Sequence, residues 1–400
     1  MKNMMNKVSK RLKSTIVKYY LFQLFSDLSL FTAVLVPFFT EWGGISFSKI
    51  QILQSWFMLW IFILEIPTGA VADYFGRKQS LYIGTFIKVI AMLVYGSFPS
   101  YQIFLLAEFL FAAGVAFVSG ANDALLYDAL KQEGKEERSK KIFGKAHSFK
   151  LLGMLIAAPL GSVIASKFSL NMPMLLSAIP TFLAFLIILT IEEPEYKSKE
   201  SESRRYLNII KEGLSVLLKN LELKKLMFNS VLVSASAYFV IWYYQPLLEK
   251  INVPILYFGL VHGFLVIIEI LISSNFEKIE KILKGERGYM LFSILSVFLA
   301  FILVGIRPSY ITILFFIIFA GGFGLTYQQY ISAMMQKHIP SNERATVASF
   351  LSMFKRFALV LLNPIMGIFA DINLSFVLGF AGIIALLSLF TLRVRFKNID

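Results

Sequence analysis

Hydrophobic runs of membrane length recur along the whole 400-residue chain and are separated by short polar stretches. Each run is close to the ~20 apolar residues that a helix needs to cross a bilayer. Helices are favoured in lipid because they satisfy all their backbone hydrogen bonds internally. The pattern therefore predicts an all-α integral membrane protein with twelve transmembrane segments, at about 15–39, 50–70, 80–98, 102–127, 146–166, 172–191, 226–249, 254–273, 288–306, 310–334, 345–370 and 374–392.

The basic residues between these segments alternate from one connection to the next. Most of the 39 Lys and Arg residues lie in the two tails or after even-numbered segments, and the opposite connections hold only Lys49, Lys167, Lys250 and Arg307. Cytoplasmic connections carry the excess of positive charge. We therefore predict a multi-pass protein of the plasma membrane with both termini in the cytoplasm. The net charge of +14 follows from this topology and does not indicate a nucleic-acid partner.

The longest polar stretch, residues 192–225, divides the segments into two groups of six. Its leucines and isoleucines recur at helical spacing among Lys and Glu, which predicts an amphipathic helix on the cytoplasmic surface. The predicted organisation has five parts: a tail (1–14), a six-helix half (15–191), the linker (192–225), a second six-helix half (226–392) and a second tail (393–400).

Short matches between the halves indicate an internal repeat. Pro37 corresponds to Pro246, Lys150 to Lys355, and Glu65 to Glu269, at similar spacings and in the same order. At the spacing of Glu65 and Glu269, the loop after the eighth segment contains Glu277 and Lys281 but no glycines. The chain is therefore predicted to form two pseudo-symmetric halves, the second of which has lost the glycines of the first.

The composition excludes several classes of site. There is no cysteine, and the three histidines do not fall at ligand spacing, so we expect no thiol chemistry, no metal site and no cofactor. No phosphate-binding loop of the GxxxxGK[ST] type is present, which argues against an ATP-driven pump. No Ser/His/Asp or HExxH arrangement supports an enzyme, so no catalytic residue is predicted.

A charged turn punctuated by glycines joins the second and third segments. Its sequence is Gly69-Ala-Val-Ala-Asp73-Tyr-Phe-Gly76-Arg77-Lys78, with Leu81 just beyond. It resembles the signature loop of the major facilitator superfamily, G-x-x-x-D-x-x-G-R-K-x-x-L. The resemblance implies a monomeric secondary transporter that moves a small molecule across the bilayer by alternating access. It also implies that an acid at the cytoplasmic end of the fourth helix pairs with Arg77, and Asp128 matches that place better than Asp123.

Ionisable residues inside the membrane are the candidates for coupling and substrate binding, because each costs roughly 2.5–3.5 kcal/mol to insert. Asp27, near the middle of the first segment, is the leading candidate for proton coupling, followed by Glu65 and Glu269. Lys150 and Lys355 could bind an anionic substrate, and Lys88 either neutralises Glu65 or reaches the interface. The candidates for an aromatic substrate pocket are Tyr243, Tyr327 and Gln328.

These residues favour proton-coupled efflux of amphiphilic or cationic compounds. Uptake of an organic anion or a nutrient is the alternative, because Lys150, Lys355 and Arg356 are also present. A membrane sensor or scaffold on the same fold is an alternative of another class. The degenerate antiporter motif of the fifth segment, where only Pro159 and Gly161 match the family, leaves the direction of transport open.

Overall fold

A computed structural model describes residues 2–194, 220–338 and 344–392, and every regular element in this part of the chain is helical. The helices of the first half are α1 (Lys2–Ser26), α2 (Phe47–Phe75), α3 (Arg77–Ser97), α4 (Tyr101–Gln132), α5 (Ser139–Lys167) and α6 (Met172–Leu189). Those of the second half are α7 (Leu221–Lys250), α8 (Phe258–Ser273), α9 (Glu286–Ile306), α10 (Tyr310–Phe315, then a π-helical stretch Phe316–Gly324, then Leu325–His338), α11 (Arg344–Ile372) and α12 (Leu374–Leu387). Among the described residues, eleven helical spans are long and apolar enough to cross a membrane. The amphipathic helix predicted for the linker lies mostly outside the described residues.

The first predicted segment is not a continuous helix. The structure ends α1 at Ser26 and resumes only with short turns over Thr32–Val34, Leu35–Pro37 and Phe38–Trp42. The predicted transmembrane segment 15–39 is therefore helical only in parts. Neighbouring helices make the break possible, because they supply a hydrogen-bond partner for the released backbone and leave room for the unwound chain.

Interactions with α5 and α6 stabilise this break in α1. A Cβ atom on Gly161 of α5 would overlap the carbonyl oxygen of Leu30, so only glycine lets the two backbones approach this closely. The Leu30 N–H donates to Ser177 Oγ of α6 at 2.9 Å, which satisfies a backbone donor that α1 has released. The buried Leu30 N–H of the unwound stretch is thus not left unpaired.

The described residues form two compact units. The first comprises the described residues of Met1–Gly44, Trp56–Tyr206 and Ile255–Gly263, and the second those of Ile45–Ser55, Leu207–Pro254 and Phe264–Asp400. In the first unit, α3 packs against α4 and α6, and α1 packs against α5 and α6. Gly84 of α3 and Gly114 of α4 face each other so closely that a Cβ on either would lie 2.7–2.8 Å from the other's carbonyl oxygen.

The second unit is organised around α7, whose buried face packs against α10, α11 and α12. Within it, Asn229 of α7 forms the centre of a buried polar network. Its Oδ1 accepts the phenol of Tyr327 at 2.5 Å, and its Nδ2 donates to the carbonyl of Ser388 at 2.9 Å and to Thr391 Oγ1 at 3.1 Å. The network links α7 and α10 to the end of the described chain.

The structure corrects the alignment of the two halves at the signature loop. Gly76, with φ 110°, precedes α3, and Gly285, with φ 102°, precedes α9. These two glycines have the same spacing as Pro37 and Pro246, so the prediction that the second loop has lost its glycines is wrong for Gly76. It holds for Gly69, because Lys278 stands at the corresponding position. A short helix, Phe276–Ile282, lies between α8 and α9 and shifts the register of an ungapped comparison.

Candidate functional site

Asp27 lies directly at the break in α1, where the helix has ended at Ser26. Its carboxylate faces Lys150 of α5, with a distance of 3.6 Å between Oδ1 and Nζ. The two side chains are 28% and 43% exposed, respectively, so neither member of this ion pair is fully buried. An ionisable group on an unwound stretch of a membrane helix is the arrangement found at binding sites of transporters.

A second cation, Lys88 of α3, reaches the same break from another side. Its ammonium donates to Ser26 Oγ at 3.2 Å and to the Ser26 carbonyl at 3.4 Å. It also lies 5.8 Å from the ring centroid of Phe111. Lys88 is only 8% exposed and its ammonium lies at Ser26. Both predicted roles of Lys88, neutralising Glu65 and reaching the interface, are therefore wrong.

The break in α1 thus collects two ammonium groups and one carboxylate. A carbonyl released from the helix is a ready acceptor for a buried cation, which explains why Lys88 lies at Ser26. Protonation of Asp27 would remove the only negative charge of this trio and leave both cations without a counter-ion among its members. The arrangement can therefore link the uptake of a proton to the binding of another charged group.

The signature loop forms a second cluster at the end of α2. Arg77 Nη2 lies 3.3 Å from Asp73 Oδ1, and Arg77 Nε lies 3.9 Å from Asp128 Oδ2 of α4. Asp73 and Arg77 are both buried. Asp123, the other acid at this end of α4, instead accepts the phenol of Tyr19 at 3.3 Å. The structure therefore brings Arg77 and Asp128 together, as the resemblance implies.

The loop glycines have separate structural roles. A Cβ on Gly120 of α4 would lie 4.0 Å from the Cα of Gly69, so α2 and α4 approach closely at Gly69. Gly76 supplies the positive φ that turns the chain into α3. A Cβ on Gly76 would lie 3.0 Å from Glu193 Oε1, so a side chain there would also crowd that carboxylate.

Glu193 is a functional candidate that the sequence reasoning missed. Its carboxylate accepts the backbone N–H of Lys78, with N···O distances of 2.9 and 3.2 Å, at the N-terminus of α3. The Lys78 ammonium in turn donates to the Leu189 carbonyl at 2.9 Å, and Lys18 of α1 donates to the Thr190 carbonyl at 2.7 Å. The acidic pair Glu192-Glu193 after the sixth segment was the available signal, because helix N-termini attract carboxylates.

Burial raises the pKa of Glu193, which lies outside the membrane-spanning helices. The Lys78 and Arg77 N–H groups and their side-chain charges act in the opposite direction, since they favour the ionised form. The net effect is a raised pKa, so the proton is held more tightly here than on a solvated glutamate.

The remaining charged candidates lie on other helices than α1. Glu65 is half-buried on α2, within the first unit. In the second unit, Glu269 on α8 and Lys355 on α11 are both half-buried. Their roles stay predictions, and the described residues contain no group of three His, Asp or Glu side chains that could hold a metal ion.

The three candidates for the aromatic substrate pocket differ in how deeply they are buried. Tyr327 is fully buried and donates to Asn229, and Tyr243 is fully buried and donates to the Met366 carbonyl at 3.1 Å. Gln328, the next residue on α10, is half-buried. Of these three side chains, Gln328 is the one that keeps partial exposure, and the substrate-binding role of all three stays a prediction.

Solved structures of transporters share this fold. A nucleoside transporter, NupG, aligns with a TM-score of 0.75 and 16% identity over 96% of this chain and 98% of that chain. A bacterial homologue of the human lysosomal transporter Spinster, in an inward-facing and unoccupied conformation, gives 0.72 and 16% over 98% and 97%. A D-xylose-proton symporter gives 0.70 and 15% over 96% and 98%. At these identities the likeness concerns the fold.

Two curated relatives match a smaller part of the chain. An uncharacterized transporter of Buchnera aphidicola subsp. Schizaphis graminum (strain Sg) is 29% identical over 126 residues, 32% of this chain and 31% of its own length. The vesicular acetylcholine transporter of Drosophila melanogaster is 29% identical over 127 residues, 32% of this chain and 22% of its own length. The matched region therefore spans about a third or less of these relatives.

The comparison with family profiles covers most of the chain. The profile described as Major Facilitator Superfamily matches residues 20–362, which contain the break in α1, the signature loop and the second unit as far as α11. This chain therefore belongs to the major facilitator superfamily and is a multi-pass membrane protein.

Proposed function

We propose that this chain is a secondary active transporter of small molecules rather than an enzyme, that it works by alternating access and that it couples transport to protons at Asp27. The observation that carries the proposal is the position of Asp27 at the break in α1, 3.6 Å from Lys150 and beside the Ser26–Lys88 contact. A carboxylate at membrane depth is costly to keep charged without a partner. Loss of that partner therefore favours protonation of Asp27, and its return favours release of the proton.

In this mechanism a cationic substrate competes with the proton for Asp27, whereas an anionic substrate binds together with the proton. When Asp27 is ionised, it neutralises Lys150. When Asp27 is protonated, Lys150 is released to bind an anionic group. A cationic substrate would instead displace Lys150 from the ionised Asp27. The D-xylose-proton symporter among the structural neighbours offers a precedent, on this fold, for a substrate moved together with a proton.

The two modes correspond to the two directions of transport considered from the sequence. Efflux of amphiphilic or cationic compounds fits the second mode, and the acetylcholine transporter is a relative whose name denotes a cation. Uptake of an organic anion or nutrient fits the first mode. The excess of ammonium groups over carboxylates at the break favours the anion as the second candidate.

The experiment is to reconstitute the protein in liposomes and measure two activities in the same vesicles. The probes are tetraphenylphosphonium as a cation and labelled nucleosides, xylose and benzoate as neutral and anionic compounds, with an imposed pH gradient. Asp27→Asn fixes the site in a neutral form, so accumulation driven by the gradient should be lost while exchange between the two sides survives. Glu65→Gln, which neutralises another membrane acid, tests the next coupling candidate in the same assay.

If Asp27→Asn keeps gradient-driven accumulation, Asp27 is not the coupling group, and Glu65 or Glu269 becomes the next candidate. If a cation alone drives exchange, the efflux mode is supported. If an anion alone does so, the uptake mode is supported and Lys150→Gln should abolish it.

We also propose that the protein resides in the plasma membrane with both termini in the cytoplasm, as the charge distribution predicts. Accessibility of tags at either terminus, and of a tag in the 40–49 connection, tests this arrangement. Termini on opposite faces would contradict it.

A further inference from the structure

The first turns of α2 are bonded to the C-terminal half of α11, within the second unit. The carboxylate of Asp371 accepts the backbone N–H groups of Phe47 at 2.8 Å and of Ser48 at 3.1 Å, and it also accepts the Ser48 hydroxyl. A carboxylate stabilises a helix N-terminus because the first N–H groups have no partner within the helix. Two turns further along α2, Ser55 Oγ donates to the Val360 carbonyl at 2.9 Å. The start of α2 is therefore attached to α11 at two points.

Between these two points the helices pack very closely. A Cβ on Gly367 of α11 would lie 2.9 Å from the Cβ of Gln51 on α2. Helix α7 contacts both of them, because the Tyr243 phenol donates to the Met366 carbonyl at 3.1 Å and the Tyr243 ring centroid lies 6.2 Å from that of Phe47. The contact is therefore a packed junction of three helices.

Two amide side chains are buried in this junction without partners. Gln51 lies one turn after Phe47 on α2, and Asn363 lies one turn before Gly367 on α11. Both residues are 0% exposed, and neither the oxygen nor the nitrogen of either amide has a hydrogen-bond partner among the described residues. Buried polar groups are nearly always paired, and an unpaired one loses its hydration without compensation. The packed junction is therefore less stable than the same junction with apolar side chains would be.

The same contact thus contains groups that hold it closed and groups that favour its opening. Asp371 bonds the N-terminus of α2 only while the two helices touch. Gln51 and Asn363 gain hydrogen-bond partners only when the helices separate and water reaches the amides. The free-energy difference between the closed and the separated contact is therefore reduced by the two amides.

We propose that the contact between α2 and α11 is a latch that opens and closes during transport. Asp371 stabilises its closed form, and Gln51 with Asn363 stabilises its open form. The inference rests on the alternating access of the proposed function, but not on proton coupling at Asp27.

The test uses the full-length protein in liposomes and measures the opening of the latch directly. Because the chain has no cysteine, Lys49→Cys and Ile372→Cys introduce the only two thiols for spin labels. Both positions are exposed and adjoin the bonded residues Ser48 and Asp371. Electron paramagnetic resonance then gives the ratio of a short-distance, closed population to a long-distance, open population.

Asp371→Ala should lower the closed-to-open ratio at least fivefold. In that background, Gln51→Leu with Asn363→Leu should raise the ratio at least tenfold, because the unpaired amides are replaced by apolar side chains of similar size. Gln102→Leu, which changes an exposed amide of α4, is the matched control and should leave the ratio unchanged. Should the double leucine variant fail to fold, each single leucine variant should raise the ratio at least threefold.

The proposal is overturned if the leucine variants lower the ratio or leave it at the control value, since the amides would then be no better paired in the open form. A ratio that does not respond to Asp371→Ala also contradicts it. Because the measurement needs no transported probe, its failure is distinct from a failure of proton coupling at Asp27, which the accumulation assay detects.

Discussion

The carboxylate of Glu193 binds the backbone N–H of Lys78, and the ammonium of Lys78 reaches back to the carbonyl of Leu189, four residues before Glu193. Lys78 is thus the donor in two hydrogen bonds that join the start of α3 to the end of α6 and the residues just after it. Because Lys78 belongs to the signature loop, the start of the central linker is attached to the loop that the family resemblance identifies. A movement of α6 must therefore either carry α3 with it or break these bonds.

The first prediction concerns the protonation of Glu193. Its pKa is raised by burial, so the docked side chain binds a proton more tightly than a released one. Docking is therefore favoured below the ordinary pKa of glutamate and is weakened as the pH rises through the raised pKa. Glu193→Gln keeps an acceptor oxygen without the charge, and its Tm should equal that of the wild type near pH 4 and exceed it by about 1–2 °C near pH 8.

Thermal unfolding in detergent across this pH range measures the effect. Glu193→Ala is the control, because it removes the acceptor and should lower the Tm at every pH. A Gln variant that is less stable than the wild type at pH 8 would show that the ionised form is the favoured one.

The second prediction separates the two demands made on Gly76. Alanine at this position would adopt a strained φ, at a cost of about 1–3 kcal/mol, and would also crowd Glu193. Gly285→Ala is the matched control, because its φ is similar but a Cβ there meets nothing within 4 Å. Gly76→Ala should lower the Tm and transport further than Gly285→Ala, and Glu193→Ala should recover part of the difference. Equal losses in the two alanine variants would indicate that φ alone matters.

The third prediction concerns the pair formed by Arg77 and Asp128. Asp73→Asn and Arg77→Ala should each impair transport while the protein remains in the membrane. Because Arg77 Nε lies 3.9 Å from Asp128 Oδ2, Asp128→Asn should add little to Arg77→Ala. A double-mutant cycle on transport rates, at matched protein levels, measures this coupling. Fully additive losses would argue against the pair.

The fourth prediction tests the packing of the break in α1. A methyl group on Gly161 would overlap the Leu30 carbonyl. Gly161→Ala should therefore displace the unwound turn, prevent stable folding and abolish transport. Gly144→Ala lies on the same helix, where a Cβ meets nothing within 4 Å. That control should be neutral or more stable by about 0.5–1 kcal/mol, because alanine is the better helix former. Similar behaviour of the two variants would mean that the break does not depend on this contact.

The fifth prediction distinguishes the structural and substrate-binding roles of the α10 candidates. Tyr327→Phe removes the donor to Asn229 and should destabilise the protein by about 1–3 kcal/mol, since a buried acceptor loses its partner. Its KM for a transported probe should remain unchanged. Gln328→Ala should show the reverse, with a raised KM at an unchanged Tm. A raised KM in Tyr327→Phe, at normal stability, would restore Tyr327 as a pocket residue.

The hydrophobic pattern determined where most of the chain crosses the membrane, because lipid admits only long apolar helices with internally paired backbones. The sequence also located the signature loop, because the spacing of Gly76 and of the charged residues around it matches the family motif. The pairing of Arg77 with Asp128 followed from the resemblance, and the observed distance of 3.9 Å agrees with it. Glu269 and Lys355 were likewise found from sequence as membrane charges, and their roles stay predictions.

Other features were decided only by tertiary structure. Asp27 is central in an apolar run that looks continuous, and the helix ends there because Gly161 and Ser177, far along the chain, accommodate and bond the unwound backbone. Glu193 binds Lys78 across a sequence separation of 115 residues, and the short helix before Gly285 hides the second copy of the loop from an ungapped comparison. The hydrophobic pattern within one segment shows that the segment lies in lipid. The break in α1, the Glu193 contact and the second loop depend instead on which atoms of distant segments lie within a few ångströms. That information exists only once the helices have packed.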